Sequence, residues 1–85
     1  MKAEDIKLSM TCGACPEQYD AYHDGKKVAY LRLRHGYFYA SVPDVGGEHV
    51  YDAEPDGDGI FDDEERDKYL GEAKAAIAAH YSKQV

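Results

Sequence analysis

The stretch Gln18-Tyr19-Asp20-Ala21-Tyr22-His23-Asp24-Gly25, continued by Lys27 to Arg34, His35-Gly36 and Tyr37 to Val42, decides how this chain folds. Two runs of strand-forming residues flank Asp24-Gly25. Asp-Gly at such a junction favours the type I′ hairpin turn, in which both central residues take φ > 0. His35-Gly36 reads as a second tight turn, returning the chain through Tyr37-Phe38-Tyr39-Ala40-Ser41-Val42. Upstream, Ile6, Leu8 and Met10 alternate with polar residues and predict a short first strand. Thr11-Cys12-Gly13-Ala14-Cys15-Pro16 should break it, since Gly and Pro both interrupt regular structure. Downstream, Pro43 to Gly47 is a looser connection to a last short strand, His49-Val50-Tyr51-Asp52.

Beyond the acidic segment Glu54 to Asp58, residues 62–82 read as one helix. Asp62 is placed to cap its N-terminus, and Glu65 three residues on completes a capping-box-like pair. Asp62, Asp63, Glu64 and Glu65 together suit the positive end of a helix dipole. Tyr69, Leu70, Ala73, Ala76, Ile77, His80 and Tyr81 recur at three- and four-residue steps and form one apolar stripe. The expected fold is therefore a single α+β domain over residues 1–85. It consists of an antiparallel β-meander of three to five strands (1–53), an acidic loop (54–61) and one C-terminal helix (62–82) packed on one face.

Alternation along the hairpins then gives the sheet two unlike faces. Leu31, Leu33, Phe38, Ala40 and Val42 fall on the side that should receive the helix. Tyr30, Arg32, Arg34, Tyr37, Tyr39 and Ser41 fall on the other. Interleaved Arg and Tyr on an uncovered sheet present stacking surfaces and hydrogen-bond donors to a ligand. The same cross-strand pairs also stabilise an open face with no ligand at all.

Composition bounds the function. The chain has 85 residues, a net charge of −7, and eight Tyr against two Phe and no Trp. Residues 1–43 carry six basic and five acidic side chains, whereas residues 44–85 carry four and twelve. So negative a half disfavours non-specific nucleic-acid binding and favours a basic partner, a cation or simple solubility. The first residues, Met1 to Lys7, show no apolar signal region, and no run approaches the ~20 apolar residues of a membrane span. The expected setting is cytoplasmic, with the protein a monomer or a dimer.

Two short motifs bear on chemistry. Glu54-Pro55-Asp56-Gly57-Asp58-Gly59-Ile60-Phe61-Asp62-Asp63-Glu64-Glu65 resembles the calcium loop of EF-hands, with acidic residues at loop positions 1, 3, 5, 9 and 12, Gly at 6 and Phe at 8. That resemblance implies Ca²⁺ held by Asp56, Asp58, Asp62 and a bidentate Glu65. It departs from the family in having Glu54 at position 1 and a strand as the entering element. An acidic helix start alone would give the same residues without any ion. Cys12-Gly13-Ala14-Cys15 has the spacing of half a zinc site or of a redox pair. No second C-x-x-C completes a zinc site, and strands follow where a redox fold would place a helix. No nucleophile motif or phosphate-cradling glycine loop occurs, so no catalytic residues are assigned.

The segment Cys12-Gly13-Ala14-Cys15-Pro16-Glu17-Gln18-Tyr19, with Asp24-Gly25 and Val28 to Phe38, resembles small proteins of actinobacteria and their phages. In these a Pro-Glu-Gln-Tyr segment precedes a Gly turn and an Arg- and aromatic-rich strand. The resemblance covers residues 8–42. It implies a phage or bacterial cytoplasmic setting and brings no established activity. The functional expectation is a small non-enzymatic interaction protein that binds a partner protein through Tyr30, Arg32, Arg34, Tyr37 and Tyr39, through its acidic surface, or through both. Calcium binding by the loop and nucleic-acid binding by the sheet are the alternatives, and otherwise no cofactor is expected.

Overall fold

In the computed structural model, which describes residues 1–14 and 16–83, five antiparallel strands form one open sheet in the order β1-β2-β3-β4-β5. They are β1 (Lys7–Gly13), β2 (Glu17–His23), β3 (Lys26–Arg34), β4 (Tyr37–Val42) and β5 (Glu48–Ala53), followed by the helix α1 (Asp63–Ser82). The meander and the single C-terminal helix are those expected from the sequence. Both hairpin turns also take the backbone form that their residues suggest. Asp24 and Gly25 lie at φ 53° and 78°, and His35 and Gly36 at 54° and 73°, so each turn has two consecutive left-handed residues. Asp and His carry this conformation better than bulkier residues do, and Gly carries it freely.

The first strand is longer than its residues predict. It runs on through Cys12 and Gly13, because Cys12 pairs with Gln18 and Gly13 with Glu17 after a bulge that leaves Thr11 unopposed. Bulges are over-represented at sheet edges, and an edge strand loses little by carrying a Gly. Ahead of it a short 3-10 turn, Ala3–Asp5, delivers Ile6 into the core.

Helix α1 lies on the face that carries Leu31, Leu33, Phe38, Ala40 and Val42, all of them buried. It contributes Ala73, Ile77 and Ala78 to the same core, with Tyr69, Leu70 and Tyr81 packed at its margin. Ala78 lies outside the stripe read from periodicity, and Ala76 and His80 are only half-buried. The Tyr81 hydroxyl donates to the carbonyl of Val28, the residue at the β2–β3 bulge, which ties the helix C-terminus to the sheet. The helix covers β4 and β5 and the 3-10 turn, leaving the far end of the sheet bare. Met10, on the core side of β1, is 52% exposed, while Phe38 on β4 is fully buried.

That asymmetry gives a stability test. Phe38→Ala should cost about 3–5 kcal/mol in denaturant unfolding, the usual range for deleting a buried aromatic ring. Met10→Ala, on the same side of the sheet but beyond the helix, should cost less than ~1 kcal/mol. Equal losses would mean that the two ends of the sheet are covered alike.

Candidate functional site

The open face of the sheet is built by alternation and corrected by bulges. Cross-strand pairing sets Gln18, Arg32, Tyr39 and Asp52 in one row, and Asp20, Tyr30, Ser41 and His49 in the next. Arg34 pairs with Tyr37 beside the His35-Gly36 turn. All five residues expected at the face, Tyr30, Arg32, Arg34, Tyr37 and Tyr39, thus lie on one surface. Ser41 shares their phase, but it is 1% exposed and its hydroxyl donates to the Asp44 carbonyl at 2.9 Å. It therefore braces the β4–β5 connection and offers nothing to a ligand.

His49 joins the face through a bulge. Simple alternation would put His49 and Tyr51 on the same side of β5. The β4–β5 register shifts between Ala40 and Ser41, so that Tyr51 faces the core while His49 stacks on Tyr39. The Tyr39 and His49 rings are 4.3 Å apart and 19° from parallel, and Tyr37 and Tyr39 are 5.8 Å apart at 16°. Tyr30 meets Tyr39 edge-on at 6.2 Å. These are favourable aromatic geometries, and they hold the rings in fixed positions. The Tyr30 hydroxyl donates to Gln18 Oε1 at 2.5 Å. Burial, with Tyr39 and Asp20 nearby, raises that hydroxyl above its ordinary pKa, so it remains a donor at neutral pH. Burial and Asp52 do the same for Tyr37.

Arg32, Arg34, His35, Tyr37, Tyr39 and His49 line a shallow pocket of about 450 Å³. Its two arginines differ from Lys27 and Arg66, the two cations of the sheet and helix that are held in ion pairs. Lys27 lies between Asp44 at 2.7 Å and Asp20 at 3.0 Å, whose hydrogen bonds push its pKa up to about 12. Arg66, the third arginine of the chain, is held by Glu17 and Asp63, each at 3.0 Å. Among the described residues no carboxylate lies within ion-pair distance of Arg32 or Arg34. Arg32 Nε is also shielded from solvent with no hydrogen-bond acceptor.

The acidic segment 54–61 alternates. Glu54, Asp56, Asp58 and Ile60 are exposed, whereas Pro55, Gly57, Gly59 and Phe61 are buried. Asp56, Asp62 and Glu65 converge, with ligand atoms within 4.8 Å of one another, and Asp58 is outside that group. Both Glu65 oxygens already accept backbone N–H groups, from Asp56 at 3.0 Å, Gly57 at 2.8 Å and Asp62 at 3.0 Å. Burial alone would raise the Glu65 carboxyl, but these amide donors outweigh it and hold it below the ordinary glutamate value. The Asp62 bond is the Glu half of the capping box expected from the sequence. Gly57 is required here, since a Cβ would come within 2.1 Å of the Ile60 carbonyl oxygen. Of the two cysteines, Cys12 sits half-buried on β1 and belongs to no metal-sized cluster among the described residues. Cys15, on which the zinc and redox readings also depend, lies outside the described residues.

Residue-type reasoning missed one more group, a carboxylate in the core. Glu17 on β2 is fully buried on the helix side of the sheet. It accepts hydrogen bonds from the Tyr19 hydroxyl, the Phe61 amide at 3.0 Å, and Arg66 Nε and Nη2 at 3.0 and 3.2 Å. Arg66 Nη2 also donates to the Phe61 carbonyl at 3.2 Å. The only sequence signal was Glu17 standing two residues before Tyr19 and four before Ala21, in the phase of the buried side of β2.

No family model matches the chain, and neither a curated protein nor a solved structure is significantly similar to it. No helix among the described residues is long and apolar enough to cross a membrane.

The Glu17 cluster predicts a pH dependence of stability. Burial raises its carboxyl, but the Arg66, Tyr19 and Phe61 donors outweigh burial and hold it below the ordinary value of 4.5. Its contribution is then fully present above about pH 4.5, where the unfolded carboxyl ionises, and is lost as pH falls through the lower folded value. Arg66→Ala strands a buried charge and should cost about 3 kcal/mol at pH 7. Acid titration of unfolding free energy should show a shallower fall for Glu17→Gln than for the parent chain. Identical pH slopes would rule this carboxylate out as a source of acid sensitivity.

Proposed function

We propose that this protein is a non-enzymatic binding module whose open sheet face docks a partner protein in a bacterial or phage-infected cytoplasm. The observation that carries the reading is the pocket of Arg32, Arg34, Tyr37, Tyr39 and His49. It gathers pre-stacked aromatic rings and two arginines without carboxylate partners on the face that the helix leaves open. Tyr and Arg supply large contact areas and several donors at modest conformational cost, and they are the residue types over-represented where interfaces hold most of their energy. The cytoplasmic and phage setting rests on the resemblance of residues 8–42.

A second reading has its own observation. Asp56, Asp62 and Glu65 bring three carboxylates within 4.8 Å of one another, which supports a calcium-dependent module at the loop. Binding there would require Glu65 to exchange backbone amides for the ion.

Both readings are testable with purified protein. Replacing Arg32 and Tyr39 together with Ala should leave the melting temperature within a few degrees, since neither belongs to the hydrophobic core, and abolish capture of a partner from an actinobacterial lysate. Undiminished capture would remove the sheet face from consideration. For the loop, millimolar Ca²⁺ should raise the melting temperature of the parent chain and leave Glu65→Ala unmoved, because an ion that binds only the folded state stabilises it by mass action. No rise in the parent would end the calcium reading.

A further inference from the structure

We infer that the pocket between Arg32 and Arg34 is a carboxylate site, and that the docked partner presents an acidic segment whose Asp or Glu side chain enters it. This rests on the docking reading above and names the chemistry of its occupant.

Charge complementarity favours an acidic occupant. Among the described residues Asp20 and Asp44 pair with Lys27, and Glu17 and Asp63 with Arg66, while no carboxylate pairs with the two arginines gathered at this pocket. The two arginines are separated by one residue on β3, so their side chains leave the same face of the sheet. Donor chemistry points the same way. Arg32 Nε is turned inward without an acceptor, so it is the remaining N–H groups of Arg32 and the exposed Arg34 guanidinium that face the pocket. A carboxylate accepts from an arginine fork through two parallel bonds, so a partner's Asp or Glu would supply what the chain itself does not. Size and shape agree. A pocket of about 450 Å³, walled by the Tyr37, Tyr39 and His49 rings, has room for an acidic side chain and its neighbour.

The same arginines would accept phosphate, but the surroundings disfavour a nucleic acid. Two cations near the pocket neutralise at most two phosphates, which gives only a weak salt-dependent attraction. The rings of Tyr39 and His49 are also stacked on each other, which takes up one face of each that a base would otherwise use.

The test is an NMR titration of isotope-labelled protein at low salt with three probes: hexaglutamate, inorganic phosphate, and a single-stranded oligonucleotide. Hexaglutamate should shift the Arg32 and Arg34 guanidinium signals together with the Tyr37, Tyr39 and His49 rings, more strongly than either phosphate probe at equal concentration. Arg34→Gln, at an exposed strand end where folding is not at risk, should weaken the peptide about tenfold. Arg32→Gln with Arg34→Gln should abolish its binding. The inference is overturned if hexaglutamate shifts no signal at the pocket, if the double variant binds it as well as the parent, or if the oligonucleotide or phosphate is preferred. Should hexaglutamate fail while the Arg32→Ala, Tyr39→Ala protein still loses its partner, the docking face stands and only its acidic occupant falls.

Discussion

The rest of the structure depends on a buried carboxylate. Glu17 sits on the helix side of β2 with no access to water, so every lone pair it presents must be met from within the protein. Four donor atoms converge on it, from Tyr19, the Phe61 backbone and Arg66. These belong to three separate parts of the chain, and satisfying one residue therefore fixes where the loop crosses the sheet and where α1 begins. Such a pair contributes little net stability over an apolar replacement, because removing both charges from water costs about as much as their attraction returns. Its effect lies in specificity. A loop shifted by one residue would move the Phe61 amide off Glu17 and leave the carboxylate short of a donor.

Apolar packing follows from that placement. With its amide on Glu17, Phe61 is buried edge-to-face against Phe38 at 4.9 Å and stacked near Tyr69 at 5.9 Å. A loop residue thus closes the core between the sheet and the first turns of the helix. The alternation of segment 54–61 follows as well, since one side of an extended loop packs down with Phe61 and the other takes its acidic residues to solvent. Spacing of Asp at every second residue, read as a calcium-loop pattern, is also what a half-buried extended segment produces. Glu65 closes the loop with backbone amides in the positions where an ion would otherwise organise it.

The sequence was most legible where local chemistry has few solutions. Asp24-Gly25 and His35-Gly36 leave little choice of turn, and once the turns are set, alternation fixes which of Leu31, Arg32, Leu33 and Arg34 face the core. The helix start was readable from Asp62 and Glu65 for the same reason. What escaped was governed by pairing between distant strands. Three bulges, at Thr11, Val28 and Val50, each reverse the phase of a strand, and nothing local to those residues announces them. The bulge at Val50 carries His49 to the open face, and the one at Val28 lets Lys27 reach Asp20 and Asp44. The early end expected for β1 at Thr11 failed likewise, because pairing with Gln18 and Glu17 overrides the local preference of Cys12 and Gly13. Glu17 was passed over although its phase matches Tyr19 and Ala21, since a charged residue in the buried phase is ordinarily read as an exposed one.

The two sides of the sheet are also mechanically joined. The Gly36 amide donates to the Asp58 carbonyl at 2.7 Å, so the loop that Glu17 and Glu65 hold in place grips the β3–β4 turn from below. That turn sets the exit of Arg34 and the entry of Tyr37, two of the residues that line the open pocket. A hairpin tip held only by its own turn frays readily, because its backbone bonds are solvent-exposed and few contacts secure it. Here the tip is secured through Asp58, Phe61 and Arg66 to a carboxylate in the core. The backbone that carries Arg34 and Tyr37 at the open face is therefore anchored from the opposite side of the sheet. Preorganisation of this kind lowers the entropic cost of binding, and in this fold it originates on the opposite side of the sheet.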